Sequence, residues 1–144
     1  CMTSDPSIFA IGDCTNYPNN VIGRRIRLES VQNAVEQAKI VSRSITKTAQ
    51  PYHQIPWFWS NQYDIKLRIA GILTKNDLEV VRGDISKESF TVFHIRDEKV
   101  ILVESINNIK EFLIGKKLIE KQLNISKYDL SDVKFNLDII FGKD

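Results

Sequence analysis

The chain has 144 residues, which is enough for one domain or for one domain with part of another. Its composition, with 42% hydrophobic and 26% charged residues, is typical of a globular protein and argues against disorder. A net charge of +2 gives no indication of nucleic-acid binding. No apolar run reaches the roughly 18–20 residues of a membrane-spanning helix, and no signal peptide is recognisable. We therefore expect a cytoplasmic protein that binds neither membrane nor nucleic acid.

The two cysteines, Cys1 and Cys14, form no CxxC pair, and no histidine lies near them in the sequence. We therefore expect reduced thiols that hold no metal. The chain begins with Cys1 instead of a methionine and enters an apparent motif within a few residues. This beginning suggests a segment of a longer protein.

One strand and one helix are predicted in residues 1–50. Residues 7–11 (SIFAI) form a nearly continuous apolar run, typical of a parallel strand that is covered on both faces. The stretch at residues 14–20 is rich in Asn, Tyr and Pro and predicts a loop. Apolar residues then recur at spacings of three and four, which predicts an amphipathic helix from Leu28 to Ile45 with Gln37 exposed.

A change of composition separates this segment from the rest of the chain. Prolines and aromatic residues are concentrated in residues 51–62 and predict a linker into a second unit. Beyond the linker, apolar residues alternate with Lys66, Arg68 and Ala70, which predicts a strand with one solvent-exposed face.

Three further strands and two helices are predicted after this strand. The strands are expected in residues 78–81, 90–95 and 100–103, with a tight hairpin at residues 97–99. A helix is expected over about residues 109–123, although Gly115 weakens it by about 1 kcal/mol. A short final helix follows, with Ser131 as its N-cap. Antiparallel strands followed by helices indicate an α+β fold.

The most specific pattern runs from Thr3 to Asp13. An apolar strand that ends in Gly-Asp delivers a carboxylate to the edge of a parallel sheet where ligands of open α/β folds bind. Gly12 permits close approach of a ligand to the backbone, and Asp13 can accept hydrogen bonds from the hydroxyl groups of a sugar-like chain. The alternative for Asp13 is an acid at a strand end that caps a helix or closes a turn.

This pattern resembles the second FAD-binding motif of flavoprotein reductases with two dinucleotide-binding domains, T-x-x-x-(I/V)-(F/Y)-A-x-G-D. Later blocks resemble segments of putidaredoxin, rubredoxin and dioxygenase ferredoxin reductases. These blocks are Arg27–Ala34, Glu36–Ala38, Pro56–Ser60 with Gln62-Tyr63, Ile69–Gly71 and Val81–Asp84. The resemblance weakens after about Asn124. Asn61 departs from the family's P-W-F-W-S-D-Q-Y signature and removes a negative charge.

The resemblance implies a domain organisation. Residues 1–50 would be the last strand and helix of an FAD-binding α/β domain, and residues 51–144 would form the reductase C-terminal α+β domain. No GxGxxG occurs in the chain, so the remaining FAD site and the NAD(P)H site would lie upstream.

The resemblance also implies roles for individual residues at the cofactor. Asp13 would hold the ribityl chain of FAD, and the helix N-terminus at Glu29, Ser30 and Val31 would lie beside the flavin ring and stabilise its anionic reduced form. Trp59 would lie against the flavin. Core packing for the valine and the tryptophan, and a solvated first-turn acid for Glu29, are the alternatives.

The implied activity is that of an FAD-dependent NAD(P)H:ferredoxin reductase. A hydride from NAD(P)H would reach the flavin, and single electrons would pass to an acidic ferredoxin-type iron–sulfur protein. Lys39 and Arg68 are the expected docking residues, because basic side chains would steer an acidic partner. His53 and His94 are expected to be linker and strand residues without a catalytic role.

Two other functions stay open. The chain could be a non-catalytic interaction or dimerisation module, or it could belong to a reductase that resembles apoptosis-inducing factor. Ile8, Phe9, Ile11 and the apolar face of the helix would be exposed without neighbouring strands. We therefore expect this segment to be disordered, or covered by another copy or an absent partner, and we expect the fragment to hold FAD weakly.

Overall fold

The computed structural model describes residues 1–20, 22–46, 48, 54–73 and 77–142. The chain divides into two compact units, Cys1–Phe58 and Trp59–Asp144. Both sheets of the structure are antiparallel. Together with three α-helices they confirm the predicted α+β class.

The first unit contains a 3-10 turn, a short hairpin and one long helix. Its elements are the turn Gly12–Cys14, strand β1 (Tyr17–Asn19), strand β2 (Arg24–Ile26) and helix α1 (Val31–Ile45). In the hairpin, the buried side chains of Tyr17 and Ile26 stand directly opposite each other. The predicted loop at residues 14–20 therefore includes a strand. The Asn- and Pro-rich composition concealed it, because β1 has only three residues.

The parallel strand predicted at residues 7–11 is not formed. Phe9 makes an isolated antiparallel bridge with Met2, and Thr3 N–H donates to Ile8 O at 2.9 Å. Within the described residues the first unit contains no parallel partner strand for this segment. Its backbone groups therefore pair locally, across the turn at Asp5.

The second unit is built on a five-stranded sheet in the order β3-β4-β7-β6-β5. Its strands are β3 (Trp57–Gln62), β4 (Ile65–Gly71), β5 (Leu78–Asp84), β6 (Ser89–Arg96) and β7 (Lys99–Ile106). The four strands from β4 to β7 confirm the predicted ones. Strand β3 begins at the end of the first unit and lies in the predicted linker, so that prediction was wrong for residues 57–62.

A two-residue loop joins β6 to β7. Arg96 pairs with Lys99, and the intervening Asp97 and Glu98 have φ values of 48° and 60°. Two consecutive positive φ values are the signature of a type I′ turn, whose twist matches that of the flanking strands. The predicted tight hairpin at residues 97–99 is confirmed.

Helix α2 (Ile109–Lys121) covers one face of the sheet. Directly paired residues of antiparallel strands point to the same face, and Ala70, Val103 and Phe93 form such a row with each side chain 0% exposed. A Cβ atom placed on Gly115 would lie 2.7 Å from Val103 Cγ2, so the helix backbone lies directly on this row.

The same pairing corrects the prediction for β4. Ala70 was expected on a solvent-exposed face, but it is fully buried beneath α2. Arg68, two residues earlier, is half-buried and stands opposite the buried Ser105. The alternation of side chains was predicted correctly, whereas the exposed face was assigned to the wrong side because α2 covers it.

A second row, next to the apolar one, is polar and positions the start of α2. The hydroxyl oxygens of Thr91 and Ser105 lie 3.1 Å apart, and the Ser105 hydroxyl donates to Asn108 O at 2.7 Å. Asn108 is the N-cap of α2, and its Oδ1 accepts from the backbone N–H of Glu111. Burial of these polar groups is tolerated because each is hydrogen-bonded.

The C-terminal segment contains a short helix α3 (Lys127–Ser131) and a 3-10 turn (Leu137–Phe141). Ser126 caps α3, since its hydroxyl accepts from Tyr128 N–H at 3.1 Å. The prediction that Ser131 begins the last helix was wrong, because Ser131 ends α3. An apolar pattern continuing past Leu130 concealed the break.

Arg82 on β5 holds this segment against the sheet. Its side chain is 6% exposed, and its Nε donates to Glu111 Oε1 at 2.7 Å. The guanidinium also donates to a series of backbone carbonyls, those of Leu130, Asp132, Val133 and Phe135.

Strand β5 ends at Asp84, whose carboxyl is exposed. The hydroxyl and the backbone N–H of Ser86 donate to this carboxyl, and these hydrogen bonds lower its pKa below the usual range.

Replacing Arg82 by Met is expected to destabilise the second unit by about 3 kcal/mol, because the largely buried Glu111 carboxylate would lose its partner. Urea denaturation of the full chain, followed by circular dichroism, measures this change. Lys87→Met is the control, since the Lys87–Asp84 pair is largely exposed and its loss should cost less than about 1 kcal/mol. Equal losses for both variants would contradict the stabilising role of Arg82.

Candidate functional site

The Gly-Asp motif forms a turn that only glycine adopts without strain. Gly12 is buried and has a φ of +79°, in the left-handed region that disfavours residues with a Cβ atom. A Cβ atom there would meet Ala34 Cβ at 3.7 Å, an ordinary contact. The requirement for glycine in this structure is therefore conformational.

Gln37 of helix α1 holds this turn in place. Its Oε1 accepts from Gly12 N–H at 2.7 Å and lies 3.2 Å from the hydroxyl of Thr15, at the other end of the turn. Gln37 is 0% exposed, which corrects the prediction that it lies on the outer face of the helix. The spacing of the apolar residues predicted that the opposite face of the helix is buried. The signal that was missed is a pair of polar residues at helical spacing, Asn33 and Gln37, which lie four residues apart and are both buried.

Asp13 lies within the turn and is exposed. Its carboxylate makes no hydrogen bond or ion pair with any other described residue. Both oxygens are therefore available as acceptors, which matches what a polyhydroxyl chain would need. The structure thus places Asp13 on a turn that is hydrogen-bonded to α1 through Gly12.

The N-terminus of α1 is well capped. Ser30 is buried, and its hydroxyl accepts from Asn33 N–H at 3.2 Å, while Asn33 Nδ2 donates to Leu28 O at 3.0 Å. The backbone N–H groups that open a helix have no acceptor within it and carry partial positive charge. Beside this end, Val31 is 62% exposed, and the exposed Glu29 pairs with Arg27 at 2.8 Å.

The first unit exposes several large apolar side chains. They belong to Ile8, Ile11, Val31, Val35 and Ile45. The exposure predicted for Ile8 and Ile11 is found, and on the apolar face of the helix it is found for Val31, Val35 and Ile45. Phe9, Ala34 and Val41 are half-buried. Where exposed apolar side chains form a contiguous patch, they mark a surface that another surface covers.

The remaining predicted site residues lie elsewhere in the chain. Trp59 is 37% exposed and belongs to the second unit, as does the half-buried Arg68. Lys39 is exposed on α1 and pairs with Glu36 at 2.7 Å. Within the first unit, Gly12 is connected to helix α1 by its hydrogen bond to Gln37.

His94 lies in a strand, as predicted. Its side chain on β6 is 4% exposed, and its Nε2 is 3.0 Å from Glu104 Oε2. His53 lies outside the described residues. Both cysteines are free and exposed, and among residues with described positions no group of three His, Cys, Asp or Glu side chains could hold a metal. No helix in the described ranges is both long and apolar enough to cross a membrane.

Two of the solved structures that are similar to this chain contain a ferredoxin reductase and a putidaredoxin reductase. One of them, the covalent putidaredoxin reductase–putidaredoxin complex, matches with a TM-score of 0.90 and 34% identity, over 97% of this chain and 34% of that chain. The family described as Reductase C-terminal matches residues 57–140. The chain therefore belongs to this family of reductase C-terminal domains.

Curated relatives carry the similarity through nearly the whole chain. The 5,5'-dehydrodivanillate O-demethylase ferredoxin reductase subunit of Sphingobium sp. (strain NBRC 103272 / SYK-6) is 41% identical over 133 residues, which are 92% of this chain and 32% of that protein. A ferredoxin–NAD(P)(+) reductase of Sphingomonas sp. is 47% identical over 120 residues, 82% of this chain and 29% of that protein. The chain thus spans about a third of the length of these relatives.

Changing Ser30 to Ala is expected to destabilise α1 by about 1 kcal/mol, because Asn33 N–H would lose its acceptor. Ser30→Asp should restore most of this loss, since a carboxylate accepts the same hydrogen bond and interacts favourably with the helix dipole. Thermal denaturation of the full chain measures both effects. A stability unchanged by Ser30→Ala would contradict the capping role.

Proposed function

We propose that this chain is the C-terminal part of an FAD-dependent reductase that passes electrons from NAD(P)H to a ferredoxin-type iron–sulfur protein. The observation that carries the proposal is the exposed Asp13 carboxylate on a turn that Gln37 fixes to α1. Membership of the Reductase C-terminal family and the similarity to ferredoxin reductases support it. The full-length protein that contains this chain is called the parent reductase below.

The residues present fit FAD in two respects. Asp13 is exposed and offers two carboxylate oxygens as acceptors to ribityl hydroxyl groups. The N-terminus of α1, capped by Ser30 and flanked by Glu29 and the exposed Val31, offers positive potential to an anionic ring. When bound, FAD would supply the conversion of a two-electron donor into single-electron transfers.

In this proposal the chain's own residues bind and orient the cofactor. We assign Gly12 and Asp13 to the ribityl side, and Glu29, Ser30 and Val31 to the side of the flavin ring. Gly12 acts through its conformation, since its N–H is already donated to Gln37. Trp59, which is partly exposed and aromatic, is assigned to the flavin pocket.

The proposed domain organisation follows from these roles. Residues 1–50 would complete an FAD-binding domain whose other strands lie elsewhere in the parent reductase, and residues 51–144 would be its C-terminal domain. The exposed apolar side chains of the first unit would then be covered by the other strands of the FAD-binding domain. Self-association through the same apolar surface is the second candidate function, in which the chain serves as an interaction module.

An absorption spectrum with and without excess FAD tests the proposal. We expect the parent reductase to hold FAD and to reduce a ferredoxin with NAD(P)H, and the 144-residue chain alone to hold FAD weakly and to be inactive. Asp13→Ala in the parent should weaken FAD binding about 10–100-fold, because hydrogen bonds to a charged acceptor are lost. Asp138→Ala, an exposed acid paired with Lys110, is the control.

A parent reductase that neither binds FAD nor oxidises NAD(P)H would overturn the proposal. In that case, concentration-dependent dimerisation of the chain, measured by analytical ultracentrifugation, would favour the interaction module. An Asp13→Ala variant with unchanged FAD affinity would overturn the assignment of Asp13 alone.

We also propose that Lys39 and Arg68 dock an acidic iron–sulfur partner. Lys39 is exposed, and Glu36 orients its ammonium group, while Arg68 is half-buried and presents less of its surface. In the parent reductase, Lys39→Glu should slow ferredoxin reduction several-fold at low ionic strength, more than Arg68→Glu does. The loss should shrink as salt rises, because screening acts over about 10 Å at 0.1 M.

Steady-state kinetics with ferredoxin at several salt concentrations measure this effect. Lys87→Glu is the matched control, since it makes the same charge change on an exposed turn of the second unit. Kinetics that are unaffected by Lys39→Glu at low salt would contradict the docking role.

A further inference from the structure

The side chain of Gln37 is hydrogen-bonded to one short turn, Gly12–Cys14. Its Oε1 accepts from Gly12 N–H at 2.7 Å and lies 3.2 Å from Thr15 Oγ1. The Thr15 hydroxyl has a nearer acceptor in Gly12 O, at 2.8 Å, so the hydrogen bond from Gly12 N–H is the main contact of Gln37 with the turn. Thr15 N–H also donates to Gly12 O at 3.0 Å, which closes the turn on itself. The conformation that presents Asp13 is thus set from helix α1, through a residue 25 positions away in sequence.

The amide of Gln37 has one partnered and one unpartnered end. Its Nε2 is buried and has no hydrogen-bond partner within the described residues. An unpartnered buried donor is costly and rare, so the gain that keeps this residue buried must come from the Oε1 side. Because Nε2 is inaccessible, Gln37 does not contact a ligand, and any effect on a ligand must pass through the turn.

We infer that Gln37 is a positioning residue that aims the Asp13 carboxylate, and this inference rests on the proposed function. Without its acceptor, the buried Gly12 N–H would seek another partner and the turn would relax from its left-handed conformation. Asp13 is the next residue in the turn, so its carboxylate would move with the backbone. Loss of the Gln37 acceptor should therefore weaken FAD binding by the parent reductase.

Two variants of Gln37 separate the acceptor from the bulk of the side chain. Gln37→Met keeps a similar length and volume but removes the acceptor. Gln37→Glu keeps an oxygen at the position of Oε1, as a carboxylate or as a neutral acid. We expect Gln37→Met to weaken FAD binding roughly tenfold, and Gln37→Glu to retain most of the affinity.

Gln32 provides the matched control on the same helix. Its Oε1 is also buried, but it has no hydrogen-bond partner among the described residues. Gln32→Met therefore makes the same chemical change on α1 without removing an acceptor from the turn. It should leave the FAD dissociation constant of the parent reductase unchanged.

The decisive experiment is a double-mutant cycle in the parent reductase, with the FAD dissociation constant measured by fluorescence titration. If Gln37 acts through Asp13, the Gln37→Met/Asp13→Ala variant should bind FAD within about twofold of Asp13→Ala alone. A residue that only stabilises the fold would instead give multiplied losses. Melting curves of the apoproteins set a temperature at which every variant is folded.

The outcome of the cycle distinguishes a positioning role of Gln37 from a purely stabilising one. Non-additive losses, with affinity kept by Gln37→Glu and Gln32→Met, support the positioning role. Multiplied losses, or a Gln37→Met variant that binds FAD like the wild type, overturn it while leaving the proposed function intact. A wild-type parent without FAD affinity overturns the proposed function and this inference together.

Discussion

The second unit depends on the pairing register of β4, β7 and β6, which places side chains of the three strands directly opposite one another. Because Ala70, Val103 and Phe93 form one buried row, α2 can lie flat on the sheet. The neighbouring row, which includes Thr91 and Ser105, supplies the hydroxyl groups that fix the N-cap of the helix. A slip of one residue in β7 would bring Leu102 and Glu104 beneath the helix and remove both functions at once.

Arg82 extends this dependence to the end of the chain. It lies on the polar row, opposite Thr91, and from there it reaches Glu111 on α2 and the carbonyls that follow α3. The C-terminal segment has little regular structure of its own, so a guanidinium with five donors organises what hydrogen-bonded ladders elsewhere would organise. Sheet, helix and tail are thereby fixed to one another by a single register.

Sequence patterns predicted the elements whose signals are local. The alternation in β4, the turn residues between β6 and β7 and the helical spacing of α2 all arise from contacts within a few residues. The segment 7–11 could not be predicted in the same way, because a buried strand depends on neighbours that its own residues do not encode. Strand β3 was hidden for a related reason, since its aromatic residues and the prolines that precede it are equally typical of linkers.

At the candidate site, sequence patterns predicted some of the residues and missed others. Gly12 and Asp13 could be singled out in the sequence because they complete a motif that resembles an FAD-binding motif. Gln37 could not, since a glutamine on a helix is ordinarily solvated and only the fold reveals that it is fully buried against the turn. Arg68 was misplaced for the opposite reason, because a charged residue beside a helix can be half-buried along its aliphatic stem.

The contact between Gly115 and Val103 has a consequence for how this domain can change over time. Every residue larger than glycine at position 115 would overlap the valine, whose Cγ2 lies 2.7 Å from the position of a Cβ atom. A smaller residue at position 103 would open a cavity in the fully buried row unless the helix filled it. Substitutions at the two positions are therefore coupled. A change at this contact requires paired replacements that exchange side-chain volume between helix and sheet.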